Sequence, residues 1–236
     1  MKLPLNLLLL ILILLSLLSG LQKVFGLSAW PPTWQAPRRL QLPGYQAKLI
    51  ASHDGATGRE FSTGVMRQFR LHSLEHTPEI IDLTIVPVNS INPDKMSLSR
   101  ITADRPELAL KKPQLLAHRP PGQAADQEDH LAMAKAGAAT LLQTCMMRSG
   151  VAGYSQTTLG DELTRQNLRR FDDNSLHKFL DYASRFLALQ PITPSECLLV
   201  QLKTTTAATD QQSLLNAWDA LRPLLLQGNS GQPDRR

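Results

Sequence analysis

The chain is 236 residues long and carries 25 Lys and Arg against 20 Asp and Glu, a formal net charge of +5. This mild excess is spread along the sequence and only 5% of the residues are aromatic, which argues against a nucleic-acid-binding surface. The sequence has no G-x-S-x-G, G-x-x-x-x-G-K-[ST], G-x-G-x-x-G or paired C-x-x-C motif. The usual sequence evidence is therefore absent for serine hydrolases, P-loop proteins, dinucleotide-binding proteins and zinc ribbons.

Residues 3–21 form a leucine-rich apolar run. As a helix, this run extends about 28 Å, close to the thickness of the bilayer core. Lys2 supplies the positive charge expected on the cytoplasmic flank, so the rest of the chain is predicted on the periplasmic side of the inner (plasma) membrane. The best candidate cleavage sites, Leu18-Ser19-Gly20 and Leu27-Ser28-Ala29, each have a leucine where signal peptidase prefers a small residue, so an uncleaved single-pass anchor is favoured over a cleaved signal peptide. We assign residues 1–26 to this anchor or signal segment.

A proline-rich stretch, residues 27–45, follows the apolar segment. Its prolines and Gly44 predict a stiff, irregular tether between the membrane and a folded domain. Trp30 and Trp34 lie within this stretch, and two interpretations of them stay open. Either the indole rings lie at the membrane interface, or the tryptophans are ordinary core residues of the domain.

Strand patterns open the domain. Alternating residues from Gly64 to Leu71 and the apolar run 80–86, separated by a short polar break, predict an antiparallel strand pair. Residues 89–130 contain many polar residues and prolines and predict a flexible excursion. In residues 131–147 the alanine-rich composition favours a helix, whereas the segment 140–146 equally fits a strand that leads into a turn.

Helical spacing dominates the second half of the chain. A short helix from Asp161 to Phe171 is followed by a second helix that Asn174 caps and that extends to Leu187. Residues 198–203 predict a short strand. A final helix begins after Asp210 and places five apolar residues on one side: Leu214, Leu215, Trp218, Leu221 and Leu225.

This order of elements indicates the α+β class. We expect a small antiparallel sheet with carboxy-terminal helices, in a single extracytoplasmic domain of residues 46–227, behind one amino-terminal transmembrane helix. Residues 228–236 are predicted to be a disordered tail.

The chain contains two cysteines, Cys145 and Cys197. Outside the cytoplasm, two lone cysteines in one domain usually pair, and a disulfide is the favoured interpretation. Buried free thiols and a nucleophilic Cys145 are the alternatives, although no histidine stands at a recognisable spacing for the latter.

The segment from His72 to His76 matches H-x-x-E-H, a pattern in which two histidines on one helical turn bind zinc and the glutamate acts as a base. Here the motif lies between two predicted strands and is followed by Pro78, so a polar turn is the favoured interpretation. A membrane-anchored hydrolase or metallopeptidase that uses His72, Glu75 and His76 is the alternative function. His118, His130 and His177 are isolated in the sequence.

Three segments together resemble a known family: Leu141 to Gly150, the helix from Lys178 to Leu189, and Pro194 to Leu202. They are similar to the carboxy-terminal half of the cyanoexosortase-associated proteins, of the type associated with cyanoexosortase A. These are cyanobacterial accessory proteins of cyanoexosortases, the membrane-embedded relatives of sortases that process exported proteins. The closing helix around Trp218 and the amino-terminal span fit the same outline.

The resemblance implies a non-catalytic partner or chaperone of a membrane-embedded cyanoexosortase or of its cargo protein. No cofactor and no metal are predicted. The residues of this chain that match the family's pattern are the two cysteines and the Arg-x-Gly turn. Arg148 and Gly150 therefore become the candidate partner-contact turn, and residues 3–21 the membrane contact.

Overall fold

The computed structural model describes residues 11, 13–14, 34–56, 61–74, 79–90, 97–103, 105–122, 128–162, 195–204 and 211–227. These residues form a nine-stranded sheet. Its strands are β1 (Tyr45–His53), β2 (Phe61–Thr63), β3 (Met66–Ser73), β4 (Ile80–Ser90), β5 (Gln114–His118), β6 (Asp129–Ala136), β7 (Ala139–Met147), β8 (Ala152–Gly153) and β9 (Ser195–Thr204). The helices are α1 (Leu98–Ile101), α2 (residues 156–162) and α3 (Gln211–Gln227), with a 3₁₀ turn at Pro106–Leu108.

The strands lie in the order β1-β3-β4-β9-β7-β6-β5, with β2 beside β4 and β8 beside β7. Every pairing is antiparallel. The last strand in the sequence, β9, is central, because it lies between β4 and β7 and joins the two halves of the sheet. Residues 196–202 of β9 are all buried, as expected where a sheet is covered on both faces.

Two apolar clusters lie on the two faces of the sheet. The helix face carries α3, whose fully buried Trp218 belongs to the same cluster as Leu83, Leu142 and Leu202. The opposite face is covered by α1, the 3₁₀ turn and α2, and its cluster includes both cysteines. This two-sided burial is the main source of stability for the central strands.

Several predicted elements are confirmed. The antiparallel pair is β3 with β4, and the short strand at 198–203 is the centre of β9. The closing helix is α3; its five predicted apolar residues are all buried, and Pro223 lies inside it. The class is confirmed in its coarser form, an antiparallel sheet with a carboxy-terminal helix, although the sheet is not small.

The helical interpretation of residues 131–147 is wrong, because these residues form the β6–β7 hairpin. Ala136 pairs with Ala139 across a two-residue turn that begins at Gly137, whose φ is +65°. A positive φ at the first turn position but not at the second, Ala138, is the type II′ geometry, which favours glycine at the first position. Alanine's helix preference amounts to less than about 1 kcal/mol per residue, and strand pairing with burial of residues such as Leu142 outweighs it.

The predicted flexible excursion over 89–130 contains folded elements. α1, the 3₁₀ turn and β5 all lie within this range. Leu98, Ile101 and Leu108 bury their side chains against the sheet, which provides the free energy that orders the segment. Asp129, near the end of the predicted excursion, is the first residue of β6 and is 1% exposed.

The described part of the predicted tether, residues 34–44, packs on the domain rather than extending from it. Trp34 is 2% exposed and belongs to the helix-face cluster together with Ala36 and Leu42. For Trp34, the interpretation as a core residue is therefore confirmed. Trp30 lies outside the described residues.

Among the described residues, no helix has both the length and the apolar character needed to cross a bilayer. Of the predicted span, residues 3–21, the structure describes residues 11, 13 and 14, which are helical. Of the helix predicted from Asp161 to Phe171, the structure describes Asp161 and Glu162, which are helical; the second predicted helix, the Asn174 cap and the tail at 228–236 lie outside the described residues.

Candidate functional site

The arginine turn, Arg148-Ser149-Gly150, connects β7 to β8 and is held by backbone hydrogen bonds. Gly150 N–H donates to the Met147 carbonyl at 2.9 Å, and Met147 N–H donates to the Val151 carbonyl at 2.8 Å. Gly150 has a φ of +89°, a conformation that favours glycine. The predicted turn is therefore present, and its glycine is needed for its shape.

The two cysteines lie directly beneath the arginine turn. Cys145 in β7 and Cys197 in β9 have Cα atoms 5.7 Å apart and are joined as a disulfide. Cys197 pairs with Met147, the last residue before the turn. The prediction that the cysteines approach within disulfide distance is confirmed, and the bond ties the base of the turn to the central strand.

Arg148 contacts residues on the side of the β7–β9 strand pair opposite the disulfide. Its Nη2 donates to Oε2 of Glu196 at 2.9 Å, and its guanidinium lies over the Trp34 ring, 5.8 Å from the ring centroid. The Glu196 side chain is 4% exposed, whereas the Arg148 side chain is 48% exposed. Arg148 is therefore held by a buried carboxylate and an indole ring, and about half of its side chain is exposed.

A buried ion pair supports the other end of the turn. Arg222 in α3 donates through Nη2 to the Gly150 carbonyl and through Nε to Oδ2 of Asp129 at 2.9 Å. The indole Nε1 of Trp218 donates to the same carboxylate oxygen at 2.9 Å. Asp129, Arg222 and Trp218 thus connect β6, α3 and the arginine turn in one network.

Burial raises the pKa of the Asp129 carboxyl above its ordinary value of 3.8, because desolvation exceeds the opposing effects of Trp218, Arg222 and His118. His118 is isolated in the sequence but has a partner in the structure. Its Nε2 lies 2.7 Å from Oδ1 of Asp219, a residue of α3 next to Trp218. A second polar contact therefore joins α3 to the sheet beside Asp129.

Binding is the chemistry that this arrangement suits. The turn presents the half-exposed Arg148 side chain next to the exposed Ser149, on a backbone fixed by the disulfide and by Arg222. A donor group held this rigidly loses little conformational entropy when it contacts an acidic partner surface.

The residues of the H-x-x-E-H motif are described only in part. His72 and Ser73 end strand β3, where His72 pairs with Ile80 of β4. Glu75 and His76 lie outside the described residues. In the part of the chain that the structure does describe, no three His, Cys, Asp or Glu side chains gather closely enough to hold a metal ion.

Sequence reasoning missed Asp129, Arg222 and Glu196. A signal existed for Arg222, because an arginine four residues after Trp218 on the apolar side of a helix predicts a buried partner. Nothing local identified that partner, since Asp129 lies 93 residues away in sequence.

Comparison with known proteins adds no relative. No protein-family model, curated protein or solved structure matches the chain.

Proposed function

We propose that the protein is a non-catalytic accessory protein of a membrane exosortase, acting as partner or chaperone of the enzyme or of its cargo. In this proposal the arginine turn is the contact with the partner, and the chain belongs with the cyanoexosortase-associated proteins. Arg148 donates to an acidic group on the partner, and Gly150 provides the backbone conformation that presents it.

One observation carries the proposal most directly. Two of the segments that resemble the family, residues 141–150 and 194–202, contribute β7, the arginine turn and β9, which are adjacent strands joined by the disulfide. Segments of similarity that are distant in sequence and adjacent in space favour a shared surface over a coincidence of composition. The surface that they share is the end of the strand pair at which Arg148 lies.

The proposed location is the periplasmic side of the inner membrane, with residues 3–21 as a single-pass anchor. Lys2 on the inner flank and a disulfide-linked pair in the domain support this orientation. A reporter that is active only in the cytoplasm, fused to the carboxy terminus, should give no signal. A strong signal would contradict the proposed topology.

Co-purification tests the proposed partnership. The full chain is co-expressed with the exosortase encoded in the same genome, extracted in detergent and captured through a tag on the exosortase. Wild-type protein should be retained, and Arg148→Ala should reduce retention about tenfold or more, as expected for an arginine at the centre of an interface.

Arg70→Ala is the matched control for this experiment. Arg70 is 46% exposed and pairs with Asp82 at 2.9 Å, which matches the exposure of Arg148 and its distance to Glu196. Retention of Arg70→Ala at the wild-type level would assign the loss to the arginine turn. Equal loss in both variants, or no retention of wild-type protein, would contradict the proposal.

A further inference from the structure

The chain enters the domain next to the arginine turn. Trp34 is the first residue after residue 14 that the structure describes. The centroid of its ring lies 5.8 Å from the guanidinium carbon of Arg148, and Trp34 is only 2% exposed. Its buried side chain fixes the entry point of the chain at the end of the sheet where the arginine turn lies.

From Trp34 the chain crosses the helix face to the opposite end of the sheet. Ala36 and Leu42 belong to the helix-face cluster, and Leu42 forms a bridge to Tyr45, the first residue of β1. The strand register places Tyr45 at the same end of the sheet as four other residues: Ser73, Ile80, Thr204 and Ala139.

The two ends of the sheet are separated by the length of β7. This strand extends from Ala139 to Met147, the residue before the arginine turn. Its two end residues are about 27 Å apart at the usual rise of a strand. The β6–β7 hairpin at Gly137 is therefore the distant end of the domain, and the arginine turn is the end at which the chain enters.

The proposed anchor lies close to this entry point in the sequence. Twelve residues, 22–33, separate residues 3–21 from Trp34. Fully extended, they span at most about 40 Å. The arginine turn stays beside the attachment point however the domain rotates, whereas the distance of the β6–β7 hairpin from the bilayer depends on the rotation. On average, the tether holds the arginine turn closer to the bilayer than the hairpin.

We infer that the arginine turn is the membrane-proximal end of the domain, and that the acidic group contacted by Arg148 belongs to the periplasmic surface of the membrane-embedded exosortase rather than to its cargo. The inference rests on the proposed function, because it takes residues 3–21 as the anchor and Arg148 as the contact. Two proteins in one membrane meet at a high effective concentration when their contact surfaces lie at the same height. Arg148, within about 45 Å of the bilayer, meets this condition for a membrane-embedded enzyme.

Energy transfer to the bilayer tests the orientation without any partner. The full chain is reconstituted in liposomes whose lipid headgroups carry an acceptor dye. A fluorescent amino acid replaces Ser149 or Ala138, which are both exposed and flank β7 at its two ends. Because these ends differ by about 27 Å, transfer from position 149 should be about twofold or more as efficient as transfer from position 138.

The outcomes separate the orientation from the anchor. Equal transfer from the two positions, or more efficient transfer from position 138, would overturn the inference and leave the anchor in place. Absence of transfer from both positions would contradict the anchor, and the inference with it.

A spacer between the anchor and the domain tests the identity of the partner. A helical spacer of about 25 residues, inserted between Leu27 and Ser28, raises the domain by about 35 Å. In the co-purification with the tagged exosortase, retention of this variant should fall about tenfold, as for Arg148→Ala. A flexible Gly/Ser spacer of equal length is the matched control. It lets the domain return to the membrane, so retention should fall less than about threefold.

Retention at the wild-type level with the helical spacer would overturn this inference, because a contact away from the membrane tolerates the added height. It would leave the proposed partnership intact. Equal loss with both spacers would also overturn the inference, since the insertion and not the height would then break the contact. Failure of the proposed function is a separate result, in which the wild-type protein itself is not retained.

Discussion

Arg222 and Asp129 are joined by a hydrogen bond of 2.9 Å between Nε and Oδ2, although they are 93 residues apart in sequence. Through its second nitrogen, Arg222 also donates to the Gly150 carbonyl. One buried guanidinium therefore fixes the start of β6, the closing helix and the arginine turn relative to one another. The shape of the proposed partner surface depends on an ion pair that the partner does not touch.

The pH dependence of stability should carry the signature of Asp129. Because burial raises the pKa of Asp129 above 3.8, the folded state binds its proton more tightly than the unfolded state. The contribution of Asp129 to stability is therefore greatest below pH 3.8 and is lost as the pH rises through the folded pKa. Asp129→Asn lacks this change, so its stability relative to wild type should improve as the pH increases.

Urea unfolding of both proteins from pH 4 upward measures this difference. His118 also acts on Asp129, so the comparison is repeated in the His118→Gln background. If the stability of Asp129→Asn relative to wild type instead falls as the pH increases, the folded pKa of Asp129 is lowered rather than raised.

Removing the positive charge of the Arg222–Asp129 pair should strongly destabilise the protein. Arg222→Met leaves Asp129 with the Trp218 indole but without the guanidinium, and it leaves the Gly150 carbonyl without that donor. We expect a loss of about 3–5 kcal/mol in the free energy of unfolding at neutral pH. Unfolding by urea measures it, and a loss below about 1 kcal/mol would contradict the role given to this pair.

The disulfide should contribute strongly to stability. In the chain-entropy model, a bond between residues 52 positions apart contributes about 4 kcal/mol. Cys145→Ala and Cys197→Ala should each lose most of this contribution, and the double variant little more, since either change removes the cross-link. A reductant should lower the Tm of wild type and leave the double variant unchanged. Reductant-insensitive melting of wild type would contradict the bond.

Arg148 should contribute modestly to stability. Arg148→Ala removes the Nη2 donor from the Glu196 carboxylate, whose side chain is 4% exposed, and should cost about 1–3 kcal/mol. Adding Glu196→Gln removes the buried charge and should recover part of the loss. Chemical unfolding of the single and double variants provides the measurement. An equal or greater loss in the double variant would mean that Glu196 has a different stabilising role.

The metallopeptidase alternative makes a clear prediction about zinc. If the H-x-x-E-H segment is a polar turn between β3 and β4, replacing His72 and His76 by Ala should leave folding nearly unchanged. Metal analysis of purified wild-type protein and the double variant measures this. Stoichiometric zinc in wild type that the variant lacks would make the hydrolase the better account.

The elements that were predicted correctly have strong local signals. β3, β4 and β9 show alternating or continuous apolar residues, and α3 repeats Leu214, Trp218, Leu221 and Leu225 at helical spacing. These patterns predict each strand or helix without knowledge of the segments that pack against it. The β6–β7 hairpin was predicted only in part, through the strand alternative for residues 140–146, because alanine fits both structures and the positive φ at Gly137 becomes visible only in the folded chain.

For the same reason, only part of the candidate site could be predicted from the sequence. The turn at residues 148–150 and the cysteine pair follow from residue types and their spacing along the chain. The contacts of Trp34 with Arg148 and of Asp129 with Arg222 join segments that are distant in sequence, and local patterns carry no information about such pairs.

The central claim is that the arginine turn contacts a membrane exosortase or its cargo, and site-specific photo-crosslinking tests it most directly. A photoreactive amino acid replaces Ser149, exposed in the turn, or Ser52, also exposed, in the edge strand β1. In membranes that contain the exosortase and its cargo, the probe at position 149 should crosslink to one of the two, and the probe at position 52 should not. Absence of a crosslink from position 149, or equal crosslinking from both positions, would contradict the account.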